Sequence, residues 1–225
     1  MYADDYDGPH FDWPPYAPVT ETREQVDHIR KRYAALLTMC DRNLGRVLDI
    51  MDKHDMWKDT MLIVNTDHGF LLTEHNWWGK VREPIYDELA HTPFFLWDPR
   101  SGVRNEHRGA LCQTIDIAPT LLGLLHIDYT NNGFGVDLLR EKRPAVVFTS
   151  DDAIGCVNDS LFYIYKPKDN QEWLLSHKRA VEQSGGVTDE SARQSLRDYS
   201  FSILQTAQYL MSNSLTGKYI GYQPR

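Results

Sequence analysis

No long basic run occurs in the 225 residues, and the formal net charge is −8. The electrostatic footprint of a nucleic-acid binder is therefore missing. An acidic surface leaves room for an anionic substrate, because a bound cation or a few local positive groups can dominate a pocket. Long apolar runs are also lacking. Ile115 to Leu125 is among the longest and is too short to span a bilayer, so no transmembrane segment is expected in this chain. No charged-then-apolar leader opens the chain, which leaves the compartment open. Cysteine is scarce: Cys40, Cys112 and Cys156 lie far apart, with no C-x-x-C. These are expected to be buried free thiols, not a disulfide framework or a zinc site. Unpaired thiols lean slightly towards a cytoplasmic setting.

What is present suits a globular chain. Hydrophobic residues make up 41% of it, enough for a core, and the length allows one large or two small domains. Residues 1–19 carry Pro9, Pro14, Pro15 and Pro18 and read as an irregular lead-in. A long amphipathic helix is predicted from about Thr20 to His54. Its apolar face is Val26, Ile29, Tyr33, Leu36, Leu37, Cys40, Leu44, Val47, Leu48 and Met51, recurring at three- and four-residue steps. Residues 60–66 then read as a buried strand. A helix feeding such a strand predicts a parallel sheet covered on both faces. A second short strand is expected over Pro93 to Trp97, and a helix over Asp116 to Leu125 with Pro119 in its first turn. Beyond Gly135 the pattern changes. Ala145 to Ser150, Ser160 to Tyr165 and Glu172 to Ser176 predict a small antiparallel sheet, and Asp189 to Ser212 a closing helix.

The chemistry is concentrated between Asn65 and Lys80. Asp67 and His68 emerge at the carboxyl end of the predicted strand, the edge where open α/β sheets bind ligands. A carboxylate beside an imidazole offers oxygen and nitrogen donors to a divalent cation. Gly69 permits the tight turn that lets both face one point. Lys80 offers a point charge for an oxyanion. Asp-His-Gly alone also suits a plain strand-exit turn. The longer series is more specific: apolar strand, Asp67-His68-Gly69, Glu74-His75, Trp78-Gly79-Lys80, Tyr86-Asp87-Glu88, His91-Thr92-Pro93, the 115–121 segment, and Gly135-Val136-Asp137-Leu138-Leu139.

In order and spacing these residues, from about Tyr33 to Leu139, resemble the second half of the sulfatase family in the alkaline-phosphatase superfamily. The resemblance implies an α/β fold: part of an alkaline-phosphatase-like sheet flanked by helices, then a small antiparallel sheet and a C-terminal helix. It divides the chain into residues 1–140, the C-terminal half of a catalytic domain, and residues 141–225, a small α+β subdomain. It makes Asp67 and His68 two ligands of one divalent cation, usually calcium. It places Lys80 on the sulfate and leaving-group side. His75, on the same loop, becomes a candidate catalytic residue lining the pocket, although an exposed loop histidine is the plainer alternative. His91 stands where many sulfatases have arginine and is expected to play a supporting role. Trp77 and Trp78 either shape the pocket or simply pack.

Two family features are missing. No Cys/Ser-x-Pro/Ala-x-Arg motif exists, so the formylglycine nucleophile would lie upstream of this chain. The paired carboxylates that follow the family's first strand have only two stand-ins, Asp4-Asp5 and Asp151-Asp152, and neither precedes a nucleophile motif. The expectation is a fragment of a metal-dependent sulfuric ester hydrolase, inactive alone. It would act on a sulfated small molecule or saccharide once paired with its missing half, or it would self-associate. The alternatives are a phosphodiesterase, phosphonate hydrolase or phosphoglycerol transferase using manganese or zinc, and a non-catalytic interaction module.

Overall fold

A computed structural model describes residues 3–81, 86–102, 105–129, 133–149, 153–176 and 186–215. Internal contacts divide the chain into two compact units, Met1–Glu106 and His107–Arg225.

The first unit is organised around helix α1, Arg23–Lys53. Thr22 starts it with a reciprocal capping box. The Thr22 hydroxyl accepts from the Gln25 backbone N–H, and the Gln25 side chain accepts from the Thr22 N–H. Only Ile29 and Met51 of its predicted apolar face are buried, whereas Leu36, Leu37, Cys40 and Val47 are exposed. The periodicity is sound, but no described residue covers the middle of that face.

After a 3-10 turn at Met56–Lys58 comes strand β1, Leu62–Asn65. The chain then forms a minimal hairpin, β2 (Leu71–Leu72) with β3 (Trp78–Gly79), passes helix α2 (Asp87–Ala90), and returns as strand β4, Phe94–Trp97. Strand β4 pairs with β1 in antiparallel register, Leu62 opposite Trp97 and Asn65 opposite Phe94. The parallel arrangement expected for β1 is thus corrected for its described neighbour. The intervening segment doubles back on itself, and no crossover helix is needed to reverse the chain.

The lead-in is irregular, as its prolines require, yet it is pinned. Trp78 donates its backbone N–H to Ala17 O at 2.9 Å, and Val19 donates to Asn76 O at 3.0 Å. Trp13 packs against Trp78, Phe70 and Tyr33.

The second unit holds helix α3, Ile117–Leu124, and a four-stranded antiparallel sheet in the order β5 (Val146–Thr149), β6 (Ile154–Val157), β7 (Leu161–Lys166), β8 (Gln171–Ser176). Strand β6 was not predicted. Its four residues include Gly155, which breaks the apolar signal. Alternation sorts the side chains. Val147, Cys156, Tyr163 and Leu174 form one cross-strand row and pack with Leu196 of helix α4, Glu190–Ser212. Phe148, Val157, Phe162 and Leu175 occupy the opposite face. Of the three thiols only Cys156 is buried, and burial lifts its pKa to about 11. Cys40 and Cys112 are exposed, which corrects the expectation that all three are buried.

Candidate active site

Strand β1 ends at Asn65, and the three following residues turn sharply. Thr66 Oγ1 donates to His68 O at 3.2 Å, and the His68 backbone N–H donates to Asp67 Oδ1 at 3.0 Å. Gly69 is required here by space. A Cβ at this position would sit 1.7 Å from Glu88 O, a backbone atom of α2 that cannot swing away. The Gly69 N–H meanwhile donates to Leu89 O at 2.8 Å. The turn is clamped against α2 by both interactions.

That clamp presents Asp67 and His68 together. The His68 ring fills an orienting role through Nδ1, which lies 2.8 Å from Gly69 O. A carbonyl only accepts, so Nδ1 carries the proton and Nε2 keeps its lone pair, the form that ligates metals. Asp67 Oδ2 lies 3.4 Å from that Nε2. The His68 backbone N–H, against a smaller opposing effect of burial, holds the Asp67 carboxyl below its ordinary pKa. Asp67 is therefore ionised, and its side chain is 83% exposed.

Lys80 completes the group. It follows β3 directly and places Nζ 3.1 Å from His68 Nε2. Three of the four site residues predicted from the sequence, Asp67, His68 and Lys80, are thus brought to one point. The fourth, His75, is not. Its Nε2 lies 3.2 and 3.3 Å from the two oxygens of Glu88. Its ring stacks on Tyr86 with centroids 3.8 Å apart and planes 2° from parallel. His91 is exposed, and its imidazole has no hydrogen bond among the described residues. Trp78 is fully buried and packs under the loop instead of lining an opening.

Several residues that build this site were not legible as such. Glu21 accepts from the Trp78 indole at 2.6 Å. Arg30 of α1 donates to Leu72 O at 2.7 Å and to Thr73 Oγ1 at 2.6 Å. Glu88 and Tyr86 hold His75. A signal existed only for the last pair, since Tyr86-Asp87-Glu88 belongs to the motif series.

The donor set fits a divalent cation in kind and falls short in number. One carboxylate and one imidazole lone pair suit it, but six to eight oxygens are usual for calcium and four ligands for zinc. No group of three or more His, Cys, Asp or Glu converges among the described residues. The two stand-in acidic pairs do not fill the gap. Asp4 is engaged by His28 at 2.9 Å and Arg32 at 3.3 Å, and Asp5 by Lys31 at 3.2 Å. Asp151-Asp152 lies outside the described residues.

Comparison with known proteins bears on the family. The sulfatase family profile matches residues 6–127, beginning within the lead-in and ending after α3. Arylsulfatase K of Gallus gallus is 31% identical over 119 residues, covering 52% of this chain and 22% of that protein. An arylsulfatase of Clostridium perfringens is 27% identical over 169 residues, 72% of this chain and 34% of that protein. Among solved structures, the phosphonate monoester hydrolase of Silicibacter pomeroyi superposes with a TM-score of 0.65 at 21% identity, covering 87% of this chain and 43% of that one. That likeness concerns the fold alone. The chain spans between a fifth and a third of the length of these two curated relatives. With more than half of its residues matched to one family profile, and a carboxylate, an imidazole and an ammonium gathered at a strand's end, this chain belongs to the sulfatase family.

Proposed function

We propose that this chain supplies part of the active site of a metal-dependent sulfate monoester hydrolase, and that the nucleophile and the remaining metal ligands come from polypeptide outside it. The observation carrying this reading is the convergence of Lys80 Nζ, His68 Nε2 and Asp67 Oδ2. Asp67 contributes an ionised oxygen donor. His68 contributes a nitrogen lone pair whose direction is fixed by Gly69 O. Lys80 contributes mobile positive charge for the ester oxygens and the departing alkoxide. A divalent cation at this pair, calcium by family resemblance, would polarise the ester and orient the nucleophile. The substrate class is a sulfated small molecule or saccharide.

A second reading has one observation in its favour. His68 offers nitrogen, and imidazole suits manganese or zinc better than calcium, which prefers oxygen. That donor fits a phosphodiester or phosphonate monoester hydrolase of the same superfamily. As for partners, the exposed Leu36, Leu37, Val47 and Ile50 of α1 form an uncovered apolar stripe suited to the complementary half of the domain or to a second copy.

Two measurements test the function. Calorimetric titration of calcium, manganese and zinc into the chain and into Asp67→Ala reports whether a cation uses this pair. Joining the chain to a nucleophile-bearing half and assaying an aryl sulfate against a phosphonate monoester separates the two readings. Sulfate hydrolysis that falls on the order of a hundredfold or more in Lys80→Ala supports the sulfatase reading. An unchanged rate removes Lys80 from the mechanism.

A further inference from the structure

Lys80 and His68 occupy the two arms at the open end of one hairpin. His68 lies three residues before β2, and Lys80 directly after β3. Their separation is therefore set by the hairpin. Yet the hairpin pairs only two residues per strand, Leu71 with Gly79 and Leu72 with Trp78, too few to hold its own shape. Its turn is also strained. Thr73, a β-branched residue at φ 81°, sustains that left-handed value only when its surroundings enforce it, whereas His75 and Asn76, at 55° and 57°, are of types that adopt it more readily.

Helix α2 provides that enforcement at both ends. At the open end, Leu89 O accepts from the Gly69 N–H at 2.8 Å, and Glu88 O fills the space beside Gly69 that a Cβ would need. At the turn, the Glu88 carboxylate meets His75 Nε2 at 3.2 and 3.3 Å, and Tyr86 covers the face of the His75 ring. A single residue, Glu88, thus touches the hairpin at its turn through the side chain and at its open end through the carbonyl. Meanwhile, among the described residues, the hydrogen bonds and ring contact of His75 are with Glu88 and Tyr86, not with Asp67, His68 or Lys80. Its imidazole is occupied elsewhere, so the catalytic role considered from the sequence does not suit it.

We infer that His75 and Glu88 are positioning residues, and that α2 is a brace along the β2–β3 hairpin which sets Lys80 against His68. The functional meaning of the brace rests on the cleft assigned to Asp67, His68 and Lys80 above. Its existence can be read without any turnover, from the His68 ring itself.

The experiment is nitrogen-15 NMR of the histidine side chains in the chain at one fixed pH. Lys80→Ala gives the His68 Nε2 shift that reports a lost ammonium contact. Glu88→Ala and His75→Asn, the latter a residue tolerant of left-handed backbone, are each expected to move His68 Nε2 in the same direction by at least half that shift. The double variant is expected to move it no further than either single one. Glu88→Gln, which keeps an acceptor for His75, is expected to restore most of the wild-type position. Should Glu88→Ala fail to fold, as judged by circular dichroism, His75→Asn carries the comparison. A His68 resonance that answers to Lys80→Ala but ignores the folded His75→Asn overturns the brace alone. A His68 resonance that ignores Lys80→Ala overturns the cleft, and the brace with it.

Discussion

The Trp78 indole nitrogen donates to Glu21 Oε2 across 2.6 Å, linking the residue two places before Lys80 to the approach of helix α1. Trp78 is wholly buried, so its N–H requires an acceptor, and a carboxylate is a strong one. Together with Ala17 O on the Trp78 backbone N–H, this contact makes the lead-in a structural support for the Lys80 arm.

Acid sensitivity follows from that contact. Burial works against the Glu21 charge, but the Trp78 hydrogen bond and the backbone N–H groups of Glu21 and Thr20 together outweigh it and hold the carboxyl below 4.5. A depressed folded-state pKa contributes stability that is fully present above the unfolded value and is lost as pH falls through the folded one. Thermal unfolding followed by tryptophan fluorescence is expected to lose stability below about pH 4.5 in the wild type. Glu21→Gln should flatten that dependence. An identical acid profile in both proteins would show that the contact is absent in solution.

Gly69 and Gly79 should respond differently to alanine. At Gly69 the new Cβ meets Glu88 O, a backbone atom, at 1.7 Å. Either α2 or the 67–69 turn must move, at a cost of about 1–3 kcal/mol or more. At Gly79 the obstacle is the ring of Tyr16, which is 54% exposed and can rotate away. What remains is the φ of +78°, worth roughly 1–2 kcal/mol. Chemical denaturation is expected to rank Gly69→Ala as the more damaging. His68 NMR should show its ring displaced in Gly69→Ala. Equal costs would contradict the close approach of α2.

Among the described residues of the second unit, Arg143 and Asp116 form a buried ion pair. Arg143 reaches both oxygens of Asp116 through Nε and Nη2, and Nη1 donates to Gln113 Oε1 at 2.9 Å. Asp116 also accepts from the backbone N–H groups of Gln113 at 2.7 Å and Val136 at 2.9 Å. Gln113 in turn brackets Val147 of β5, giving to its carbonyl and taking from its N–H. Removing one partner leaves the other charge buried and unpaired. Asp116→Asn or Arg143→Met is therefore expected to cost about 3–5 kcal/mol in urea unfolding. A loss below about 1 kcal/mol would mean that the pair is open to water.

How much of this was readable in the chain differs by element. Helix α4 and strands β7 and β8 follow from local pattern, and their shared core follows with them. Strands β1 and β4 follow as short apolar runs, but none of their residues is buried. The nearness of Asp67, His68 and Lys80 was legible because short sequence separation and one hairpin bring them together. The different surroundings of His75 were hidden for the same reason. Proximity in sequence says nothing about which way a left-handed turn points its side chain, and Glu88 lies thirteen residues away. The direction of the β1–β4 pairing was equally hidden, because an apolar strand fits either orientation. Glu21 and Arg30 are ordinary surface residues by pattern, and only tertiary packing turns them into supports for the hairpin.

On the proposed reading, Lys80 and a metal ion would compete for one lone pair. The ammonium donates to His68 Nε2 at 3.1 Å, and Gly69 O ties down the other ring nitrogen. Any cation ligated by His68 must first dislodge Lys80, and the two positive charges then repel. Replacing the ammonium with a thioether of similar length removes both penalties. Lys80→Met is therefore expected to bind manganese or zinc more tightly than the wild type, by about tenfold if the lost hydrogen bond to a charged group is worth ~1.5 kcal/mol. Turnover by a complete enzyme carrying the same change should fall if, as proposed, the displaced ammonium is the charge that meets the ester. Calorimetry on the chain reads the first effect and an aryl sulfate assay the second. Equal or weaker affinity in Lys80→Met would show that the cation does not use His68 Nε2.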